Sequence, residues 1–267
     1  MTVRALFSIA FISLVVARAA SGAGWEETVP PYTPGSFSEP RPVKLEYAFG
    51  WNGINSATAQ LHFHRVNEQF VLEGTARTTG LARNLWKYDV QHTSTTDAHT
   101  LRPVHVQETE NDRAKHIEND LSFTPERVAI KRLEQKNGKT KSDEKNFDFP
   151  NVMSLNSALL YLRSKPLNDG NVERIVVFPQ SSPYLCTVTV LGHEQVTVPA
   201  GTHNAIKVEM KLDKIKDHDL KPHKKFKQAI VWLSNDPDRL ILRIEAHVFL
   251  GTVFAELQSA QFEGAKP

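Results

Sequence analysis

Across positions 227–262 the apolar residues fall at alternate places in three consecutive runs with two breaks between them. In the middle run Leu240, Leu242, Ile244, Ala246 and Val248 share one face, and Arg243, Glu245 and His247 share the other. Successive side chains of a strand point to opposite sides, so a period of two marks a half-buried strand. Ser234-Asn235-Asp236-Pro237-Asp238 makes the first break. Proline fixes φ, and Asn and Asp side chains bond their own backbone, so Asp236 and Pro237 read as turn-formers. Leu250-Gly251-Thr252 makes the second.

The same alternation begins at Val43. It runs through 44–49, then 56–65 after the turn signal Asn52-Gly53, with Ala57, Ala59, Leu61 and Phe63 on one face. It continues through 70–76, 88–95, 101–110, 115–123 and 127–135, stops at a polar turn at 136–139, and resumes at 174–178, 184–191 and 204–212. Residues 80–86 read as a loop or short helical turn, and 213–227 as a charged loop without an apolar period. Residues 154–163 break the rhythm, with apolar residues three and four apart, Ser154 or Asn156 as a cap and Pro166 beyond the end. This predicts a helix with Leu155, Leu159 and Leu162 on one stripe and Tyr161 pointing away. The expected fold is one all-β domain over 43–262, a strongly curved antiparallel sheet or partly open barrel with one short helix.

Composition changes the picture at the N-terminus. Arg4 followed by a short apolar run and small residues up to Ala23 predicts a secretory signal peptide over 1–23, too short in its apolar part to span a bilayer. Export to the periplasm or medium follows, with no transmembrane span after cleavage. Residues 24–42 hold five prolines within 29–42 and read as an extended linker. The formal charge of +2 comes from Arg4 and Arg18, so the remainder balances 30 basic against 30 acidic residues. That gives no footprint for nucleic acid. Cys186 is the single cysteine, which excludes an internal disulfide, and its alternating surroundings make it a buried strand residue.

Candidate chemistry is sparse. His62 and His64 project from one strand face and could chelate a metal, but no third ligand stands at a readable spacing, so no metal is expected. His92, His105 and His116 fall on neighbouring strands and could converge, while His218 and His223 lie in the charged stretch. Glu108, Glu110, Asp112, Glu118 and Asp120 could supply acid–base pairs, or could protect a sheet edge. Nucleophile-elbow, zinc-protease, phosphate-loop and dinucleotide motifs do not occur, and no cofactor is expected. Fourteen Phe, with Trp51, Trp86 and Trp232, are many large rings for a sheet protein. They either fill the core or line an apolar concavity, for which Trp51, Phe63, Trp86, Leu159 and Trp232 are the candidate residues.

The order of several landmarks resembles a bacterial exported family, domain of unknown function 3108. They are Leu45-Glu46-Tyr47 with Trp51-Asn52-Gly53-Ile54; Thr75 to Gly80; Thr100-Leu101-Arg102-Pro103; Ser157 to Arg163; Val198 to Thr202 leading to Ile206-Lys207-Val208-Glu209; and Trp232-Leu233-Ser234 with Asp236 and Arg243-Ile244-Glu245. The resemblance implies a β-rich protein of the bacterial envelope and supplies no catalytic residues. The leading expectation is a non-enzymatic binding or carrier protein for an apolar or amphipathic envelope molecule. The alternatives are an enzyme on envelope polysaccharide, using acids or histidines of the concave face, and a structural partner of an envelope complex.

Overall fold

The computed structural model describes residues 24–216, 219–222, 226–248 and 251–264. The expected leader at 1–23 and the histidines His218 and His223 lie outside them. The described residues form one 15-stranded antiparallel sheet. Its first half is a meander: β1 (Val43–Trp51), β2 (Ile54–Val66), β3 (Gln69–Thr78), β4 (Tyr88–Asp97), β5 (Pro103–Asp112), β6 (Lys115–Phe123), β7 (Arg127–Lys136) and β8 (Lys139–Asp148). The second half comprises β9 (Val172–Val177), β10 (Tyr184–Val198), β11 (Gly201–Lys216), β12 (Asp219–Pro222), β13 (Phe226–Ser234), β14 (Ile241–Val248) and β15 (Gly251–Phe262). The order runs β8 to β1, then β15-β14-β13-β11-β10-β9, with β12 paired to the end of β11.

The two halves join where β1 pairs with β15 in a register from Val43↔Phe262 to Trp51↔Val253. On the other flank of β1 the register with β2 shifts at Phe49/Gly50, where Gly50 is obligatory: a Cβ there would sit 2.3 Å from the Phe254 ring and 2.4 Å from the Ile54 carbonyl. The sheet does not close into a barrel, but it curls until its far ends meet. Val106, Leu121 and Val128 of β5–β7 share a buried cluster with Val176, Leu185 and Ile215 of β9–β11. The chain between the ends spans the seam. Phe149 N–H donates to the Glu126 carbonyl (3.0 Å), Asn151 N–H to Pro125 (2.8 Å), and Met153 exchanges bonds with Val176 and Phe178 (2.9 and 2.8 Å).

Helix α1 (Gly80–Leu85) is a short turn between β3 and β4, and α2 (Leu155–Arg163) plugs the curl. Ser154 caps α2, its hydroxyl accepting the Ser157 N–H at 3.1 Å, and so satisfies one of the helix's unpaired donors. The inward stripe of α2 differs from the expected one. Leu155 is 55% exposed, whereas Ala158, Leu160, Tyr161 and Leu162 are buried. Tyr161, expected to point away, stacks on Tyr32 at 5.2 Å between ring centroids. The helix is enclosed on nearly every side, so a one-stripe reading of its amphipathicity fails.

Tyr32 belongs to residues 24–42, which open with a short 3-10 helix (Trp25–Thr28), run on without regular structure, and do not behave as a spacer. Tyr32 OH donates to the Thr100 carbonyl (2.5 Å), Gly35 N–H to Ser164 Oγ (3.0 Å) and Lys165 Nζ to the Thr33 carbonyl (2.7 Å). Phe37 packs on the core, Trp25 stacks on Phe149 at 5.3 Å, and Arg41 Nε bonds Asp238 Oδ2 at 3.1 Å. The prolines hold this strap extended, while its aromatic residues anchor it.

Two further expectations are corrected. Residues 139–148 form β8, hidden from pattern reading because it is an edge strand with most of its side chains in solvent and many of them charged. The charged stretch after 212 is also sheet: β11 continues to Lys216 and β12 pairs back on it. The turns come out as read. Asp236 Oδ1 accepts Ser234 Oγ (2.9 Å) and the N–H groups of Asp238 and Arg239 (3.0 Å each). Asp97 does the same between β4 and β5, accepting the N–H of His99 (3.1 Å) and both N–H and hydroxyl of Thr100 (2.7 Å each). Cys186 is buried, and burial pushes its thiol up to about 12, so it is inert.

Replacing Leu160, 1% exposed, with Ala is expected to lower unfolding free energy by about 2–5 kcal/mol. Leu155→Ala should change it by no more than about 0.5 kcal/mol. Denaturant melts of the pair check which stripe carries the helix. A second expectation concerns acid. Burial alone would raise Asp97, but its Thr100 and His99 donors outweigh it and hold the carboxyl below its ordinary 3.8. A depressed folded-state value stabilises the fold above the ordinary value, and that contribution disappears as pH falls through the folded value. Stability should therefore drop below about pH 4, and Asp97→Asn should make that acid limb shallower in thermal melts from pH 2 to 7.

Candidate functional site

Strand parity divides the chemistry of β4–β8 between two faces. On β4 the side chains of Thr96 and Ser94 point inward to α2, with Thr96 Oγ1 bonded to Ser157 Oγ at 2.8 Å. Counting along the same face, His92 and Tyr88 are also inward, and the register adds Glu108, Glu110 and Asp112 of β5, Asn119 of β6 and Arg132 of β7. The helix covers only the Thr96 end of this face. The apolar cluster around Val106, Leu121 and Ile130 fills the middle of this face against β9–β11, and the polar groups gather toward its Trp86 end, forming a polar concavity.

Its groups are knitted together. His92 Nδ1 lies 3.0 Å from Glu108 Oε2, and Tyr88 OH donates to Glu110 Oε2 at 2.7 Å. Asn119 Nδ2 donates to Glu110 Oε1 (3.4 Å) and its Oδ1 accepts from Arg132 (2.7 Å). Arg132 and Lys115 both pair with Glu134, at 3.4 and 3.2 Å. Gln180 reaches across from the chain after β9, its amide bonding Glu108 and also Glu110 Oε1 at 3.4 Å. One amide thus bridges two carboxylates. At the open end Trp86 stacks on Tyr88 (5.0 Å) and donates its Nε1–H to Asp112 at 2.7 Å.

The expected constellations sort accordingly. His92 does not meet His105 or His116, which point outward and bond Asp120 (3.1 Å) and Glu118 (3.0 Å). Glu118 and Asp120 are likewise outward, away from Glu108, Glu110 and Asp112. Edge protection does not explain these acids, since β5 and β6 are both interior strands. The five ring and leucine candidates do not share a groove. Phe63 and Trp232 are buried in one core cluster, and Leu159 packs half-buried on another. Trp51 is 45% exposed at the end of β1, and Trp86 is 44% exposed at the rim of the polar face. Leu160, Tyr161 and Leu162, with Tyr32 and Phe37 of the strap, pack into the core clusters. Sequence reading missed Tyr88, Asn119, Arg132 and Gln180, because only the register and the curl bring them to Glu108 and Glu110.

The outer face holds a different cluster. His62 and His64 of β2 stack at 4.4 Å between ring centroids, and Glu73 stands opposite His62 on β3. The ligand atoms of the three lie within 4.8 Å of one another. The third ligand that spacing did not offer therefore comes from the neighbouring strand. An open depression of about 360 Å³ adjoins it, lined by Lys44, Glu46, Gln60, His62, Glu73 and Gln261 among others.

The family model DUF3108, protein of unknown function, matches residues 46–258. The chain belongs to the DUF3108 family. No curated protein matches the chain. Among solved structures it is similar to a β-barrel-like protein of domain of unknown function DUF1849 from Brucella abortus, at a TM-score of 0.60 and 12% identity, covering 84% of this chain and 98% of that one. At that identity the likeness shows the fold alone. A Bacteroides fragilis protein assigned as exported, with a YmcC-like fold, aligns at a TM-score of 0.38 and 8% identity, covering 86% of this chain and 100% of its own. A Parabacteroides distasonis protein assigned as a lipoprotein aligns at 0.37 and 10%, covering 85% and 99%. Among the described residues of this DUF3108 chain no helix is long and apolar enough to cross a membrane.

Proposed function

We propose that this DUF3108 chain is a non-catalytic binding protein of the bacterial envelope whose ligand is amphipathic. The observation that carries this is the position of Trp86. Its indole N–H is bonded to Asp112 on the polar concavity, while its ring, 44% exposed, continues into α1, where Leu81 and Leu85 are 81% and 80% exposed. An apolar rim therefore adjoins a hydrogen-bonding face. The polar part of a ligand can exchange bonds with Gln180 and Glu110, and its apolar part can cover Trp86 and the two leucines. A purely apolar ligand is disfavoured, since it would leave the Glu108 and Glu110 carboxylates desolvated without new partners. The leader pattern supports export, and with it an envelope ligand.

The rival reading, hydrolysis of a polysaccharide by Glu108 and Glu110, draws on their closeness around Gln180. Both carboxylates, however, are already committed to His92, Tyr88, Asn119 and Gln180, which suits a fixed recognition surface.

The test is native mass spectrometry of the chain purified from its own envelope, with matched variants. The wild type should carry a discrete amphipathic mass, and Trp86→Ala and the double change Leu81→Ser, Leu85→Ser should each lose most of it with the melting temperature unchanged. A bare wild type, or variants that retain the mass, would overturn the proposal. Turnover of a glycan fragment that Glu108→Gln abolishes would establish the enzyme instead.

A further inference from the structure

The outer face of β1–β3 carries chemistry that ligand binding on the concavity does not use. His62 and His64 are two apart on β2, so their rings leave the sheet on the same side, opposite to buried Phe63. The strand twist brings them into a stack, 4.4 Å between centroids and 22° between planes. Across the β2–β3 ladder Glu73 faces His62, with Oε2 3.8 Å from His62 Nδ1. On the other side the end of β15 brings Glu263 Oε1 to 3.1 Å from His62 Nε2.

Two observations set this cluster apart from an ordinary polar strand face. First, His64 Nδ1 is shielded from solvent and has no hydrogen-bond partner, and the shielded Nε2 of His62 has only the Glu263 carboxylate beside it. A ring nitrogen buried without a partner is costly, and His64 Nδ1 in a stacked pair is such an atom. Second, the donor set is specific. Two imidazoles and a carboxylate, with ligand atoms within 4.8 Å of one another, match the three-ligand set that leaves a zinc ion one open position. At zinc–ligand distances those atoms would lie about 3.3 Å apart, a closure that χ rotations of half-exposed side chains can supply.

We propose that His62, His64 and Glu73 form a binding site for a divalent first-row transition-metal ion, with zinc the best match to its nitrogen and oxygen donors and Glu263 as a carboxylate at its rim. The absence of a thiolate argues against a copper(I) site, and the imidazoles argue against magnesium and calcium. The depression of about 360 Å³ is lined by His62 and Glu73, so an anionic or carbonyl-bearing partner seated there would lie beside the ion. Lys44 is the built-in competitor. Its Nζ lies 3.0 Å from Glu263 Oε1 and, with His62 nearby, holds that carboxylate below the usual range. The Lys44 ammonium beside the site repels a cation there, and its side chain, 59% exposed, can swing away.

The test is zinc titration of the tag-free mature chain by calorimetry, with imidazole signals followed by NMR. The expected result is one zinc ion per chain. Its addition should shift the ring signals of His62 and His64 and leave those of His105 and His116 in place. Affinity should fall as pH drops, because protons compete with the metal for the imidazole nitrogens. His62→Gln with His64→Gln should abolish stoichiometric uptake, and Glu73→Gln should weaken it by about tenfold or more. Lys44→Met should strengthen it, a gain that a merely structural role for these histidines would not produce. Absence of stoichiometric uptake by wild type, or uptake that leaves the His62 and His64 signals unmoved, would overturn the site. The NMR arm uses wild type alone, so a variant that fails to fold cannot obscure the answer.

Discussion

Everything in this fold depends on the antiparallel ladder between its first and last strands. Without β1 against β15, the chain would be two meanders, each with an additional open edge. The ladder is flanked by buried side chains from both strands, Val43, Leu45 and Tyr47 on β1 and Ala255 and Leu257 on β15, so it is set in the core. Tyr47 extends the link by donating its hydroxyl to the Ile241 carbonyl of the next strand at 2.8 Å. Such a contact spans almost the whole chain, and its loop-closure entropy must be met before most of the apolar surface is buried. Once made, it fixes the curl that brings β5–β7 against β9–β11.

A curled sheet leaves an interior that must be filled, and the chain fills it unevenly. Helix α2 and the strap at 24–42 close the apolar end, with Tyr32 stacked on Tyr161 and Arg41 tied to Asp238. Arg163 at the end of α2 enters this interior with a long bond to the Arg239 carbonyl at 3.5 Å and its guanidinium 5.9 Å from the Phe63 ring centroid, and burial lowers it to about 10 despite the nearby Asp236 and Asp238. It remains charged at neutral pH, so its presence opposes folding and is offset by the surrounding core. The other end of the concavity receives no plug. Its side chains are polar, and each one reported at the site is bonded to a neighbour.

The sheet itself was legible in the sequence because a period of two is stated locally, residue by residue, and the Asp97 and Asp236 turns are equally local. The edge strand β8 was not, since a strand with little buried surface carries no apolar period. The helix was legible as a helix, but its enclosed surroundings turned Tyr161 inward against the one-stripe expectation. The polar concavity and the His62–His64–Glu73 cluster were only half legible. Parity shows that Glu108 and Glu110 share a face, and that His62 and His64 do. The partners Asn119, Arg132 and Glu73 depend on cross-strand register, and Gln180 depends on the curl, neither of which one strand's pattern contains.

On the proposed reading, the bonding within the concavity limits what would bind there. Tyr88, His92, Asn119 and Gln180 all spend hydrogen-bonding capacity on Glu108 and Glu110. A ligand that covers these groups removes the water completing their remaining valences. It must return equivalent bonds or bear the desolvation of two carboxylates, which outweighs what a few apolar contacts contribute. Apolar contact is offered only at the rim, by Trp86 and the exposed leucines of α1, where no buried polar group is left unpaired by it. The arrangement therefore discriminates in both directions. A wholly apolar molecule loses at the carboxylates, and a wholly polar one gains nothing from the rim. On that reading, selection between ligands would rest on the distance between a molecule's polar and apolar parts, set by the spacing of the Trp86–Tyr88 stack from Glu110.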